Sequence, residues 1–256
     1  MRQSLGAGVS TVMFDFYGTV VDMQGGLVEA VTPYLAEKGY TDNPASRVVT
    51  WWRRTHFENS MIDALLHREH TPYREIGRQA VGYTLERAGI VYTRDEVESL
   101  VSQIERLRPF GDVVAGLQTL KDHGLRLVVL SNGDLDMLER GVAYSGTADL
   151  FDRVISVAEA GTFKPHEATY RTATHLLGVR PDEVCFVANH AFDCIGAKAA
   201  GMRTAFVDRR GRPFGNETYP PDAVVADFAE LATVLGASQH QKTARPAGGD
   251  AGLTRG

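Results

Sequence analysis

Residues 12–20, "VMFDFYGTV", combine an apolar run typical of a buried strand with one carboxylate, Asp15. A carboxylate that is dry and unpaired costs several kcal/mol, so the interior of a strand is a poor place for it. Two explanations are open. Either the strand ends at Asp15 and the side chain belongs to a functional site, or the run is not a strand. The pattern of the remaining chain decides between them.

Four further apolar runs follow later in the chain, separated by amphipathic helical patterns and by turns marked with glycine. Strand and helix patterns that alternate at short intervals indicate parallel βαβ units. Such units build an α/β fold with a doubly wound parallel sheet of the Rossmann-like kind. The sequence therefore predicts that Asp15 ends the first strand of this sheet. The predicted strands cover residues 11–14, 125–130, 153–157, 183–187 and 203–207.

One long interval, residues 21–108, interrupts this alternation because it contains helical patterns and no convincing strand pattern. We interpret this interval as a helical cap domain inserted after the first strand. The core domain is then formed by residues 10–20 and 109–237. The predicted cap helices lie around residues 27–38, 45–66, 74–88 and 95–107.

The bulk composition narrows the class of protein. The chain has 256 residues, a formal net charge of −5 and 43% hydrophobic residues, which is ordinary for a globular protein. The acidic balance argues against a nucleic-acid partner, which favours a basic face. No apolar run approaches the roughly 18 residues of a membrane span, and the two cysteines have no metal-binding spacing. We expect a cytoplasmic protein without membrane partners, whose last segment, residues 238–256, is a disordered tail.

Polar residues stand in four loops that follow predicted strands: Asp15, Ser131, Lys164 and Asp193. Ligands of open parallel sheets bind beyond the carboxyl ends of the strands, so these four loops predict one shared site. Each residue also has a plain structural explanation, such as a helix N-cap for Asp193 or a solvated surface position for Lys164. Lys164 precedes Pro165, so we expect it directly before a helix that the proline opens.

Four stretches together resemble the haloacid dehalogenase superfamily, and most closely its 2-haloacid dehalogenase branch. They are "FDFYGTVVD" (14–22), "LSNG" (130–133), "FKPHEATY" (163–170) and "FVANHAFDCIGAKAAGM" (186–202). The resemblance covers the core from about residue 10 to 215. It implies a hydrolase that needs no cofactor, acts on a small anionic organic substrate and is compatible with a homodimer.

The resemblance also assigns roles to individual residues. Asp15 is the implied nucleophile, Lys164 pairs with it, and Asp193 helps to activate the hydrolytic water. A cap arginine turns toward the halogen or carboxylate of the substrate. Arg53 fits this role better than Arg54, but short-range alignment leaves the choice between them open. The other implied substrate-binding residues are Tyr17, Thr19, Phe57, Ser131, Asn132 and Phe192.

Three positions depart from the patterns of the superfamily. Phosphatases carry a second aspartate two residues after the nucleophile, which acts as a general acid and helps to hold magnesium. This chain has Tyr17 there, and a phenol is a poor acid at neutral pH. Asn189 and His190 stand where a magnesium site often has another carboxylate, so we expect no metal site. His190 replaces the usual asparagine of the dehalogenase branch. We expect it to be catalytic and to accept a proton from water, with loop packing as the alternative.

The sequence therefore predicts a metal-independent hydrolase that converts an (S)-2-haloacid into a 2-hydroxy acid and a halide ion. One alternative is the hydrolytic opening of a strained cyclic amino acid such as azetidine-2-carboxylate. A second is a magnesium-dependent small-molecule phosphatase, against which Tyr17 counts. A third is a non-catalytic binding protein, against which the intact Asp15, Lys164 and Asp193 count.

Overall fold

The computed structural model describes residues 5–66 and 69–236, and the strands of this part of the chain form one six-stranded sheet. The strands are β1 (Thr11–Phe14), β2 (Arg126–Ser131), β3 (Arg153–Ser156), β4 (Val184–Ala188), β5 (Arg203–Val207) and β6 (Ala223–Val225). Their order across the sheet is β3-β2-β1-β4-β5-β6, and every neighbouring pair is parallel. This order is that of a doubly wound α/β fold, as predicted.

Nine α-helices accompany the sheet within the described residues. They are α1 (Met23–Glu37), α2 (Ala45–Leu65), α3 (Tyr73–Arg87), α4 (Arg94–Ser102), α5 (Val113–Asp122), α6 (Leu135–Tyr144), α7 (Glu167–Leu177), α8 (Ala191–Ala199) and α9 (Phe228–Gly236). None of these helices is both long and apolar enough to cross a membrane.

The central strand β1 explains the position of Asp15. All four of its residues are buried, because β2 and β4 pair with its two edges and side chains of other elements cover its two faces. The strand ends at Phe14, and the backbone N–H of Asp15 still donates to the carbonyl of Val187 at 3.0 Å. The carboxylate therefore follows the strand at its carboxyl end, which is the first of the two explanations given above.

The sheet has one strand more than the sequence predicts. β6 contains three residues and follows Pro220 and Pro221, so it is too short to show a periodic apolar pattern. It pairs with β5 at the edge of the sheet, far from β1 in the strand order. The prediction without β6 therefore gives too narrow a sheet but places Asp15 correctly.

The interval 21–108 contains α1 to α4 and no strand in its described part. Its two ends lie side by side, since Asp22 N donates to Arg108 O at 2.9 Å and Phe110 N donates to Val20 O at 3.1 Å. The chain thus leaves and rejoins the sheet at one place, just beyond β1. The division into cap and core domains stays a prediction, and the predicted tail, residues 238–256, lies outside the described residues.

Candidate active site

Four side chains converge on the carboxylate of Asp15. Oδ1 accepts hydrogen bonds from Lys164 Nζ at 2.9 Å and from Ser131 Oγ at 3.2 Å. Oδ2 accepts from Thr19 Oγ1 at 2.8 Å and lies 3.3 Å from His190 Nδ1. Asp15 is only 5% exposed, so these partners replace the water that a carboxylate normally binds.

The charge state of Asp15 follows from these partners. Burial by itself would raise the pKa of Asp15. The positive charge of Lys164 and the hydrogen bond to His190 outweigh it, so the pKa of Asp15 lies well below its ordinary value. The carboxylate is therefore ionised throughout the neutral range, as a nucleophile must be.

Lys164 is the cation at the centre of the site. It is 1% exposed, and its ammonium group donates to Asp15 Oδ1 at 2.9 Å, to Asp193 Oδ2 at 2.7 Å and to Leu130 O at 3.0 Å. Burial would lower the pKa of Lys164, but the two carboxylates raise it above its ordinary value. All three ammonium hydrogens are bound, so Lys164 holds a single orientation between Asp15 and Asp193.

The local structure around Lys164 differs from the prediction. Pro165 does not open the following helix, because α7 begins at Glu167. His166 occupies the N-cap position, and its Nδ1 accepts from Ala168 N at 3.2 Å. The backbone N–H of Lys164 donates instead to the side-chain oxygen Oδ1 of Asn132 at 3.0 Å, and this hydrogen bond fixes the position of Lys164 in its loop.

Asp193 is completely buried and does not line the active-site cavity. Oδ2 binds Lys164, and Oδ1 accepts from Tyr170 Oη at 2.6 Å. Burial raises the pKa of Asp193, and the charge of Asp15 adds to this effect against the opposing charge of Lys164. Each oxygen of Asp193 is thus bound to a protein group, and the predicted role of Asp193 in activating the hydrolytic water stays a prediction. Asp193 is not an N-cap, since α8 begins two residues earlier, at Ala191.

His190 occupies the N-cap position of α8 and reaches over the loop that follows β1. Its ring lines the cavity, and it approaches Asp15 closely because Gly18 has no side chain. A Cβ atom on Gly18 would lie 3.1 Å from His190 Cε1 and 3.6 Å from Arg53 Nη2. Gly18 also has a φ of 86°, in the left-handed region that favours glycine. The absence of a side chain at Gly18 therefore leaves room for the ring of His190 beside Asp15.

A cavity of about 910 Å³ lies above Asp15 and Lys164, and α2 forms part of its opposite wall. Arg53 lines this cavity and donates from Nη1 to Gln24 Oε1 at 2.7 Å. Arg54 also reaches the cavity lining, but its side chain is 78% exposed and forms an ion pair with Glu58 at 3.1 Å. Of the two candidates, Arg53 is therefore the more enclosed and the closer to His190.

Aromatic rings complete the walls of the cavity. Phe57 of α2 packs against Phe192 with ring centroids 4.4 Å apart, and Phe192 lies 5.3 Å from the ring of His190. Tyr17 stacks on Tyr73 at 6.0 Å, and its buried Oη has no hydrogen-bond partner among the described residues. Burial raises the pKa of Tyr17 well above its ordinary value, so this phenol is not an acid at neutral pH.

Three residues that were predicted to bind the substrate form hydrogen bonds within the protein, and one of them, Thr19, does not face the cavity at all. Thr19 is completely buried, donates to Asp15 and accepts from Asn189 N at 2.9 Å, so it does not face the cavity. The hydroxyl of Ser131 donates to Asp15 and accepts from Phe16 N at 3.3 Å. Asn132 lines the cavity, and its amide oxygen is already bound to the backbone of Lys164. Thr19 and Ser131 thus orient the carboxylate of Asp15.

A magnesium ion of the kind used by phosphatases of the superfamily does not fit these residues. Asn189 donates from Nδ2 to Gly18 O at 3.1 Å and accepts at Oδ1 from Arg209 N at 3.3 Å, so its amide is bound at both ends. Tyr17 supplies no carboxylate, and the ammonium of Lys164 already lies between the two carboxylates that are present. Within residues 5–66 and 69–236, no group of three or more His, Cys, Asp or Glu side chains has a metal-binding arrangement.

Two residues of the site do not emerge from the sequence reasoning. Tyr170 orients Asp193, and its position inside "FKPHEATY" was a signal that the motif extends beyond Lys164. Gln24 orients Arg53 from the start of α1, and no sequence signal distinguishes it from a surface glutamine. Both bind a charged residue of the site, and Gln24 also lines the cavity.

Comparison with known proteins agrees with this fold. The family described as haloacid dehalogenase-like hydrolases matches residues 9–201, and the chain belongs to this family. It is 35% identical to an (S)-2-haloacid dehalogenase of Xanthobacter autotrophicus, over 78% of this chain and 76% of that protein. It is 28% identical to haloacetate dehalogenase H-2 of Moraxella sp. (strain B), over 85% and 93% of the two chains.

A solved structure is similar over most of the chain. It is the L-2-haloacid dehalogenase from Xanthobacter autotrophicus with chloropropionic acid covalently bound. The match has a TM-score of 0.80 and 30% identity, and it covers 89% of this chain and 98% of that one. The resemblance inferred from the four sequence stretches is thereby confirmed, and the protein is a hydrolase with the fold of these dehalogenases.

Proposed function

We propose that this hydrolase converts (S)-2-halo carboxylic acids into 2-hydroxy acids and halide ions through an ester on Asp15. The observation that carries the proposal is the carboxylate of Asp15, which is buried, ionised and placed below a cavity with Arg53 on its wall. The similarity to an (S)-2-haloacid dehalogenase and to a haloacetate dehalogenase supports this substrate class.

The first half-reaction is a displacement at carbon. An oxygen of Asp15 attacks C2 of the acid, the new C–O bond forms as the carbon–halogen bond breaks, and the halide ion leaves with the bonding electron pair. A halide needs no proton, which suits a site in which Tyr17 stands at the position of the phosphatase acid. Arg53 offers positive charge to the substrate carboxylate or the departing halide. Burial and the charge of Arg210 lower the pKa of Arg53 to about 10, so it remains a cation at neutral pH.

The second half-reaction releases the product. Water attacks the carboxyl carbon of the ester, the bond from that carbon to the bridging oxygen breaks, and the 2-hydroxy acid leaves with an oxygen from Asp15. Whichever oxygen forms the ester, the other keeps two donors: Lys164 and Ser131 on Oδ1, or Thr19 and His190 on Oδ2. These donors stabilise the oxyanion of the tetrahedral intermediate.

The attacking water must lose a proton, and we assign its acceptance to His190. The ring lines the cavity and lies 3.3 Å from Asp15 Oδ2, next to the ester that water attacks. With Nδ1 of His190 facing Asp15 Oδ2 as a donor, the second ring nitrogen, Nε2, is the atom that accepts the proton. Asp193, sealed behind Lys164, instead holds that ammonium in place.

The finer properties predicted from the sequence belong to this proposal. The substrate is a small organic anion, the enzyme works in the cytoplasm, and two copies form a homodimer. Within the described residues, we assign no group of side chains to the cytoplasmic location or to the dimer contact.

An activity panel with and without chelator tests the function. The substrates are the two enantiomers of 2-chloropropionate, azetidine-2-carboxylate and p-nitrophenyl phosphate. We expect halide release from (S)-2-chloropropionate only, at a rate that chelator does not change. A preference for the cyclic amino acid, or a phosphatase activity restored by magnesium, would replace the proposed function.

A further inference from the structure

The outer part of the active-site cavity carries more positive charge than a monocarboxylate substrate neutralises. Arg47 lines it from α2, and Arg210 and Arg212 line it from the turn after β5; all three are exposed. Asp22 is the carboxylate on this part of the wall. Three guanidinium groups therefore share one carboxylate, beyond the inner part that Arg53 and Asp15 line.

Two other arginines of the cavity lining are neutralised locally and do not add to this excess. Arg54 pairs with Glu58 at 3.1 Å, and Arg209 pairs with Asp112 at 2.7 Å. Arg210 and Arg212, in contrast, form no ion pair with any residue in the described part of the chain. Their charge is therefore available to a ligand.

The turn that carries Arg210 and Arg212 has a defined shape. One carboxylate oxygen of Asp208 accepts hydrogen bonds from the backbone N–H groups of both arginines, each at 3.1 Å. Gly211 between them has a φ of 59°, a left-handed conformation that glycine adopts without strain. The hydrogen bonds to Asp208 thus fix the backbone of the turn, and both arginines of the turn line the cavity.

The arginines also affect one another. Arg210 is exposed, but partial enclosure lowers the pKa of its guanidinium, and the charge of Arg212 lowers it further against the charge of Asp22. Arg210 in turn is the main charge that lowers the pKa of Arg53. Like charges that repel each other in this way are stabilised when an anion binds between them.

The size of the cavity also favours a ligand that is longer than a three-carbon haloacid. A volume of about 910 Å³ is at the upper end of the roughly 300–1,000 Å³ of pockets that hold drug-sized ligands. A three-carbon haloacid bound between Asp15 and Arg53 fills only the inner part. The outer part, lined by charged and polar groups, has room for a longer substrate with a second polar end.

We propose that Arg210 and Arg212 form a second anion subsite, and that the preferred substrates are 2-halo dicarboxylic acids. The halogen-bearing end lies between Asp15 and Arg53, and the distal carboxylate binds the two arginines of the turn. This inference rests on the proposed dehalogenase function and specifies its substrate class. The reaction itself is unchanged: halide leaves C2, water supplies the oxygen that restores Asp15, and the product is a 2-hydroxy dicarboxylic acid.

The test uses substrate pairs that differ only in the distal group. (S)-2-Chlorosuccinate is compared with (S)-2-chlorobutyrate, and 2-bromoadipate with 2-bromohexanoate, by kcat/KM for halide release. We expect the wild type to prefer the dicarboxylate about tenfold or more in at least one pair. The double variant Arg210→Gln/Arg212→Gln should remove this preference. Arg171→Gln, which removes an exposed charge from α7, is the matched control and should keep it.

Equal losses for both members of a pair would show that the arginines only attract anions in general, and would overturn the subsite. A wild type without preference for either dicarboxylate would overturn it as well. Binding to Asp15→Asn protein, measured by calorimetry, separates this inference from the proposed function. If no haloacid is turned over, the dehalogenase function fails. The subsite then stands only if the dicarboxylate binds about tenfold more tightly and only while both arginines are present.

Discussion

Replacing Lys164 with methionine tests whether the buried ammonium holds the site together. The change keeps an unbranched side chain of similar length and removes three hydrogen bonds, two of them to carboxylates at 2.9 and 2.7 Å. Asp15 and Asp193 would then face each other, both buried, without a cation. Removing one partner of a buried ion pair costs about 3–5 kcal/mol of unfolding free energy. Domains have about 5–15 kcal/mol in total, so the variant should fold with a reduced margin.

The pH dependence makes this prediction specific. In the wild type the folded pKa of Asp15 lies below its unfolded value. Its contribution to stability is therefore present above the unfolded pKa and is lost as the pH falls through the folded one. Without Lys164, only His190 and the two hydroxyl donors oppose burial, which should then raise the folded pKa of Asp15 above the unfolded value. Protonation then relieves the buried charge, so the stability lost in Lys164→Met should be largest near pH 8 and shrink toward pH 5.

Urea unfolding followed by circular dichroism at pH 8, 6.5 and 5 measures the difference. Lys198→Met is the matched control, because Lys198 binds Asp222 at the same distance of 2.7 Å but with side chains 37% and 36% exposed. Such a surface pair contributes about 1 kcal/mol or less, with little change over this pH range. Similar losses in the two variants, or a loss in Lys164→Met that is independent of pH, would refute the role of buried charge.

Three further predictions concern the reaction. Asp15→Asn should keep the fold and lose turnover; in heavy-oxygen water the first product of the wild type should carry unlabelled oxygen, and label there would mean that water attacks the substrate directly. Arg53→Ala should lower kcat/KM roughly 30- to 1000-fold, or about 2–4 kcal/mol, whereas Arg54→Ala, whose side chain is exposed, should stay within about twofold. Equal effects would show that the cap arginine is wrongly assigned. His190→Asn should slow hydrolysis of the ester more than its formation, so that an adduct accumulates in the mass of the intact protein. An unchanged rate without adduct would leave His190 a packing role.

Much of the fold could be predicted because its signals are local. Apolar runs of four to six residues mark β1 to β5, and each lies within one residue of its predicted bounds. β6 was not predicted because three residues after two prolines are too few to show a periodic apolar pattern. The rule that ligands bind at the carboxyl ends of parallel strands predicts one shared site for Asp15, Ser131, Lys164 and Asp193, and hydrogen bonds connect these four side chains in the structure.

The choice between Arg53 and Arg54 shows where local signals end. Adjacent helix residues point about 100° apart, so the rotation of α2 about its axis decides which one faces the cavity. That rotation depends on packing with distant partners such as Gln24, and Trp52 and His56 must be buried by the same rotation. No pattern within the helix selects between two neighbouring arginines.

Asp193 is a second example, because its spacing from β4 is compatible with an N-cap, a water-activating group or a support for another residue. In the structure Asp193 binds Lys164 and Tyr170, which lie 29 and 23 residues away, so no local pattern could show these partners.

The sequence by itself determined five of the six strands of the sheet, the position of Asp15 at the end of β1, and the residue types that make a covalent aspartyl mechanism feasible. Each of these depends on short-range periodicity, on strand ends or on the chemistry of a single side chain. Only the tertiary structure decided which oxygen binds which donor, since Lys164 reaches Asp15 across 149 residues and His190 reaches it across 175. A hydrogen bond requires atoms to meet within a few tenths of an ångström, and that precision comes from the packing of the whole core.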